Sequence, residues 1–157
     1  MSECTDLISA SAATLSAVAA CVTAAGVWYA HRQLHTSRAI AQLQFEDSLS
    51  KEYRELASRL PTKALLGEPL EGPEYLNAFD ELFRYIDLSN EQVNLRHRGR
   101  ISLEVWKNWS DGIQWNLSLP AFKQAWSEVK ARSESFQELR RLETEEFSAD
   151  PHSWRAA

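Results

Sequence analysis

Cysteine is scarce in this chain, which has only Cys4 and Cys21. Two cysteines are too few for a disulfide framework, and their spacing matches no zinc-binding pattern. His31 and His35 lie one helical turn apart, a spacing that can bind a metal, but the sequence shows no third ligand. We therefore predict neither a metal site nor a cofactor site, and we interpret the two histidines as cations at a helix end.

The short motifs of common catalytic sites are also missing. The sequence has no P-loop, no G-x-G-x-x-G, no H-E-x-x-H and no G-x-S-x-G. Its carboxylates are spread over helix faces near Lys and Arg, and no pair stands out as a general acid and base. We therefore predict that the protein is not an enzyme, with a membrane-tethered hydrolase as the less favoured alternative.

An excess of basic residues, which most nucleic-acid binders have, is absent. The formal net charge is -5 over 157 residues, and no nucleic-acid partner is expected. Of the 22 acidic residues, Glu3 and Asp6 precede Leu7, so 17 basic and 20 acidic residues belong to the rest of the chain. That near balance is typical of a solvated protein surface.

Charged residues are missing altogether from residues 7–30, LISASAATLSAVAACVTAAGVWYA. As a helix these 24 residues would be about 36 Å long, and a bilayer's hydrocarbon core is about 30 Å thick. Trp28 and Tyr29 lie where an interfacial aromatic belt is expected. Residues 1–6 lack Lys and Arg, whereas basic residues follow Ala30. The positive-inside rule then predicts a single-pass protein of the bacterial inner membrane, with its N-terminus outside and its C-terminal part cytoplasmic.

Three alternatives for residues 7–30 stay open. A cleaved signal peptide would need a basic start, which is absent. The stretch from Val18 to Cys21 resembles a lipoprotein cleavage box, but uncharged residues continue for nine positions beyond Cys21. The third alternative is a buried core helix of a soluble protein.

Small residues recur at every fourth position of this segment. Such ladders let two helix backbones approach closely in lipid, where packing drives association. We predict that the segment contributes to a homo-oligomer, although an Ala-rich anchor without a pairing role is equally compatible with the pattern. The predicted packing residues are Ser9, Ala13, Ala17, Cys21 and Ala25.

Residues 31–147 show helical periodicity and no strand alternation, so the predicted fold class is all-α. The membrane helix should continue into a long helix that ends at Leu60, before Pro61. Residues 61–73 hold three prolines and two glycines and predict a connector with one helical turn. An antiparallel cytoplasmic bundle of helices follows.

Helix-end signals divide this bundle. Pro73 and Gly99 mark the start and end of one helix, with a minor option of a break at Ser89, where residues 89–92 fit a capping box. Ser102 and Pro120 start the next two helices. A second capping box at residues 135–138 predicts another start. Residues 148–157 are expected to form a flexible tail.

The densest basic run, LRHRGR at residues 95–100, has two interpretations. Cations at a helix C-terminus complement the helix dipole. The same residues could instead bind a phosphate, another anionic ligand or a lipid head group. The predicted anion-binding residues are Arg96, His97, Arg98 and Arg100.

Tryptophans form the second notable set. Trp106 and Trp109 share a helix face and are predicted to be core residues. Trp115 lies off that face, and an exposed Trp115 beside Asn108 or Asn116 could mark a ligand pocket or partner surface.

Four stretches carry a resemblance: HRQLHTSR, LNAFDELFRYI, RGRISLEVW and FQELRRL. Together they resemble small bacterial membrane-anchored helical proteins that have one N-terminal transmembrane helix and a cytoplasmic domain of unknown function. The resemblance covers nearly the whole chain and implies architecture and membrane location, but no catalytic residues.

These observations predict a non-enzymatic interaction or signalling module. Its expected partners are membrane lipid, further copies of itself, and a protein or an anionic small molecule. The more specific alternative is a ligand-gated membrane effector in which an anionic ligand of the helical bundle changes the oligomer.

Overall fold

The computed structural model is all-helical, as predicted. It describes the backbone of residues 2–156 and the side chains of Thr23 and residues 25–154. Within those residues there are six α-helices, one 3₁₀ helix and no strand. The α-helices are α1 (Ser2–Ala57), α2 (Thr62–Leu65), α3 (Pro73–His97), α4 (Leu103–Ser118), α5 (Pro120–Arg132) and α6 (Gln137–Thr144). The 3₁₀ helix covers Pro151–Ala156.

The chain divides into two compact units, Met1–Leu43 and Gln44–Ala157. In the first unit, the described side chains of α1 leave large apolar groups exposed, among them Val27, Trp28 and Leu34. The guanidinium carbon of Arg32 lies 5.6 Å from the centre of the Trp28 ring, which is cation–π distance.

Among the described residues, no helical segment combines the length and the apolar character that crossing a bilayer requires. Most of the predicted membrane span, and with it the packing residues Ser9, Ala13, Ala17 and Cys21, has side chains outside the described residues. Ala25 is described and exposed.

The helix boundaries follow the predicted signals closely. Helix α1 ends at Ala57, and the predicted single turn forms as α2. Pro73 occupies the first turn of α3, and Gly99, with φ of 70°, follows its C-terminus. There is no break at Ser89, since α3 runs through this position, and the Ser89 hydroxyl donates to the Tyr85 carbonyl at 2.8 Å instead of capping a new helix.

The start of α4 is capped as expected. The Ser102 side chain accepts a hydrogen bond from the Val105 amide at 3.3 Å. The Ser102 amide in turn donates to the Glu46 carboxylate at 2.7 Å. This contact ties the C-terminal part of α1 to the start of α4.

The capping box predicted at residues 135–138 does not form. Phe136 precedes α6 in the left-handed conformation, with φ of 65°, and makes no side-chain cap. The Asn90 side-chain oxygen, from α3, instead accepts the Leu139 amide at 3.1 Å. Arg140 donates to the carbonyls of Ser133 and Ser135 and holds the preceding turn.

Helix α3 is the centre of the second unit, since it packs against α4, α5, α6 and the 3₁₀ helix. Burial of each large apolar side chain there stabilises the fold by about 1.5–3 kcal/mol. The most deeply buried large apolar residues are Leu82, Ile86, Val93, Ile101, Phe122, Leu139 and Leu142.

The expectation of a flexible tail over residues 148–157 is wrong for the segment from Asp150 to Trp154. Pro151 and Trp154 are buried. The Trp154 indole donates to the Glu145 carboxylate at 2.9 Å, and Asp150 binds Arg96 at the end of α3. Pro151 and Trp154 contribute the buried apolar surface of this segment, and the ion pair between Asp150 and Arg96 holds the segment against the end of α3.

Candidate functional site

The basic run at the end of α3 does not form one anion site, because Arg96 is already used within the fold. Arg96 is 7% exposed, and its Nε and Nη2 donate to the two Asp150 carboxylate oxygens at 2.8 and 2.6 Å. Its Nη1 donates to the Ile101 carbonyl at 2.7 Å. The hydrogen bonds from Arg96 hold the pKa of Asp150 below its ordinary value.

The other three residues of that run have separate surroundings. The His97 ring packs edge-on against Trp154, with ring centres 5.7 Å apart. The Nε of Arg98 donates to the Asn94 side chain at 3.2 Å, and Arg100 is exposed. The prediction of an anion site that includes Arg96 is therefore corrected.

A cavity of about 380 Å³ lies between α1, α3 and α4 inside the Gln44–Ala157 unit. Helical spacing explains why its lining residues converge. Three positions from α1, two from α3 and five from α4 each recur on one face of their helix. They are Ser50, Tyr53, Arg54, Tyr85, Gln92, Asn108, Trp109, Gly112, Ile113 and Asn116.

Tyr85 and Asn116 form a buried polar pair in this cavity. The Asn116 Nδ2 donates to the Tyr85 hydroxyl at 3.0 Å. Burial raises the pKa of Tyr85 to about 12, although the hydrogen bonds from Asn116 and Ser89 act in the opposite direction. The neutral phenol is therefore kept in place as a hydrogen-bonding group.

Aromatic rings make up much of the cavity wall. The rings of Tyr53 and Tyr85 meet edge to face, with centres 6.1 Å apart. Trp109 lies half-buried against the core on the α4 side. Phe122 supports Tyr85 from α5 at a ring-centre distance of 4.9 Å.

Gln92 is the most unusual lining residue. It is only 5% exposed, and among the described residues no hydrogen-bond partner is found for its side-chain amide. The Gln92 amide therefore faces a cavity without a protein partner among the described residues.

Arg54 gives the cavity its charge. It is the one charged residue in the lining, and within the described part of the chain its guanidinium has no ion-pair or hydrogen-bond partner. A second groove, of about 310 Å³, has the opposite character. Its lining includes four carboxylates and two arginines: Glu52, Glu55, Asp87, Glu91, Arg59 and Arg84.

Gly112 leaves the α4 wall of the cavity open. A Cβ atom added at this position would meet no atom within 4 Å. Glycine in a helix interior costs about 1 kcal/mol relative to alanine. Helix α4 thus has a residue of low helix propensity at a position that lines the cavity.

The sequence indicated part of this site. Asn108 and Asn116 line the cavity, whereas Trp115 is 66% exposed and is not among the lining residues. Trp106 is buried as predicted, but Trp109 lines the cavity. Tyr53, Arg54 and Gln92 were not predicted, because a polar residue on a helix face looks the same whether that face meets solvent or a cavity.

No metal centre emerges from the described part of the chain. The Nε2 atoms of His31 and His35 are 3.1 Å apart. No group of three His, Cys, Asp or Glu able to hold a metal is present among the residues described.

Comparisons with known proteins found no match to a model of a known family, to a curated protein or to a solved structure. The resemblance to small membrane-anchored helical proteins therefore stays a prediction from the sequence.

Proposed function

We propose that the protein is a membrane-anchored, non-enzymatic signalling module whose Gln44–Ala157 unit binds a small molecule in the cavity between α1, α3 and α4. The observation that carries this proposal is Gln92, a residue only 5% exposed that lines a cavity large enough for a ligand and whose side-chain amide has no protein partner among the described residues. Ligand pockets have volumes of about 300–1,000 Å³ and few polar groups among apolar walls.

The lining chemistry supports binding rather than catalysis. Aromatic rings, amides, one serine and one guanidinium are present, and this set contains no carboxylate, imidazole or thiol. Such groups can orient a ligand and hold it by stacking and hydrogen bonds, whereas acid–base catalysis most often uses the groups that this set lacks.

The anchor is part of the same proposal. Residues 7–30 contain no charged side chain, and the described part of α1 that follows exposes apolar side chains beside basic ones. We propose that this segment lies in the bacterial inner membrane with the N-terminus outside, and that self-association occurs partly through Ser9, Ala13, Ala17, Cys21 and Ala25.

The binding claim can be tested by a fragment screen with ligand-observed NMR on the full chain in detergent micelles. We expect hits that compete for one site, are lost in Gly112→Phe and are kept in Gly112→Ala. A Cβ atom at position 112 meets no atom within 4 Å, so a phenylalanine ring has room at the cavity wall, whereas alanine adds only a methyl group there. The absence of hits, or hits unaffected by Gly112→Phe, would exclude the cavity as the binding site.

The anchor claim has its own test. The full chain should remain in the membrane fraction after alkaline washing and require detergent for release. Replacement of Ala13 and Ala17 with Leu should reduce the oligomer mass measured by light scattering in detergent. Recovery of the wild-type chain in the soluble fraction would contradict the anchor.

A further inference from the structure

The cavity lining combines a neutral amide residue that is almost completely buried with a cation that is exposed. Gln92 is almost completely buried, whereas Arg54 is exposed on α1. A ligand that satisfies both residues must place a neutral hydrogen-bonding group inside and a negative group towards solvent.

The aromatic residues set the shape of the buried part. Tyr53, Tyr85 and Trp109 contribute rings from three different helices. Aromatic walls favour flat ligands, because stacking and edge contacts gain most from a planar ring. A flat ring system therefore fits better than a branched aliphatic group.

The amides set the hydrogen-bonding pattern. Each side-chain amide offers a donor and an acceptor side by side. Gln and Asn read heterocycles in this way, as in their two-point contact with adenine. Asn116 has already given one donor to Tyr85, but among the described residues the side chain of the buried Gln92 has no protein partner, nor has that of Asn108, which is exposed.

The charge of the lining indicates which substituent the ligand carries outside its ring. The chain as a whole carries a net charge of -5, yet this cavity contains one cation and no carboxylate. A guanidinium binds phosphate or carboxylate through paired hydrogen bonds. An anionic substituent is therefore favoured at the Arg54 end.

We propose that the ligand is a planar nitrogen heterocycle bearing an anionic group, the class to which nucleoside monophosphates belong. This inference rests on the proposed function, since it names the ligand class of the same cavity. The heterocycle pairs with the Gln92 amide between the aromatic rings, and the anionic group binds Arg54.

The test is calorimetric titration of the full chain in detergent micelles with three classes of probe. These are adenosine and guanosine 5′-monophosphates, the matching nucleosides, and ribose 5-phosphate. We expect at least one monophosphate to bind, its nucleoside to bind about tenfold or more weakly, and ribose 5-phosphate to bind weakest.

Three variants separate the contributions of the residues. Arg54→Ala should lower monophosphate affinity to that of the nucleoside and leave nucleoside binding unchanged. Arg59→Ala, an exposed arginine in the second groove, is the matched control and should change neither. Gln92→Leu should weaken the monophosphate and the nucleoside alike, with circular dichroism showing that the helices persist.

The outcomes distinguish the two proposals. Equal binding of ribose 5-phosphate and the monophosphates, or equal weakening by Arg54→Ala and Arg59→Ala, would overturn the ligand class. If no probe of the three classes binds while fragments still bind in a Gly112-sensitive manner, the ligand class is excluded and the cavity remains a binding site. If no fragment binds either, both proposals fail.

Discussion

The Arg96 guanidinium and the Asp150 carboxylate form two parallel hydrogen bonds, 2.8 Å and 2.6 Å long, across 54 positions of sequence. Arg96 belongs to the last turn of α3, and Asp150 directly precedes the 3₁₀ helix. This pair holds the segment that contains Pro151 and Trp154 against the helical core.

Replacing Asp150 with alanine should destabilise the Gln44–Ala157 unit by about 1–3 kcal/mol, because it leaves the buried Arg96 guanidinium without its charge partner. Urea unfolding followed by circular dichroism measures the change. Glu55→Ala, which breaks the exposed Lys51–Glu55 pair, is the control and should change stability by less than about 0.5 kcal/mol. Equal effects of the two variants would contradict the structural role of Asp150.

The same pair predicts a pH dependence. The pKa of Asp150 is lowered in the folded state, so its contribution is fully present above the ordinary aspartate pKa, about 3.9. The contribution disappears as pH falls through the lower folded-state pKa. The stability difference between the wild-type protein and Asp150→Asn should therefore be constant near neutral pH and shrink below about pH 4. A constant difference down to acid unfolding would contradict this linkage.

Asn90, a residue of α3, should stabilise the first turn of α6. Its side-chain oxygen accepts the Leu139 amide, so Asn90→Ala leaves that amide without its acceptor. We expect a loss of about 1 kcal/mol in unfolding free energy, similar to the loss of a helix cap. Asn90→Asp keeps the acceptor oxygen and should retain most of the stability. A thermal melt of both variants that showed identical losses would argue against capping by this oxygen.

Gly112→Ala should stabilise the protein by about 0.5–1 kcal/mol. The added methyl group meets no atom within 4 Å, and alanine has the higher helix propensity. Chemical denaturation gives the sign directly. A destabilised Gly112→Ala would mean that the α4 wall of the cavity cannot accept even one methyl group.

Tyr85→Phe should reduce stability by about 1–2 kcal/mol at neutral pH, because the Asn116 amide loses its acceptor. The pKa of Tyr85 is raised to about 12, so the hydroxyl contributes fully below pH 10, and its contribution is lost as pH rises through 12. The difference between the two proteins should therefore shrink above pH 10. A difference that stayed constant through that range would show that Tyr85 ionises at its ordinary pKa in the folded protein.

The sequence predicted helices well where local chemistry sets their ends. Pro73, Ser102 and Pro120 each act through their own backbone or a neighbour three residues away, and these starts are correct. The start of α6 at Gln137 also lies within the predicted range, but its capping contact was missed because Asn90, from another helix, supplies the acceptor.

The candidate site was only partly predictable for the same reason. Which polar residues line the cavity depends on how α1, α3 and α4 pack together. Arg96 and Arg54 look equivalent as sequence positions, yet one is buried in an ion pair and the other lines the cavity. The two arginines differ in their burial and in their contact partners, and both of these properties depend on the tertiary structure.

The Arg96–Asp150 contact also has a consequence for synthesis of the protein on the ribosome. Arg96 is made 54 residues before Asp150, which corresponds to about 3–11 s at ordinary translation rates. During that interval α3 can form, but its C-terminal turn contains a cation whose folded-state partner does not yet exist. The contact that completes packing around this turn therefore cannot form before Asp150 has been translated.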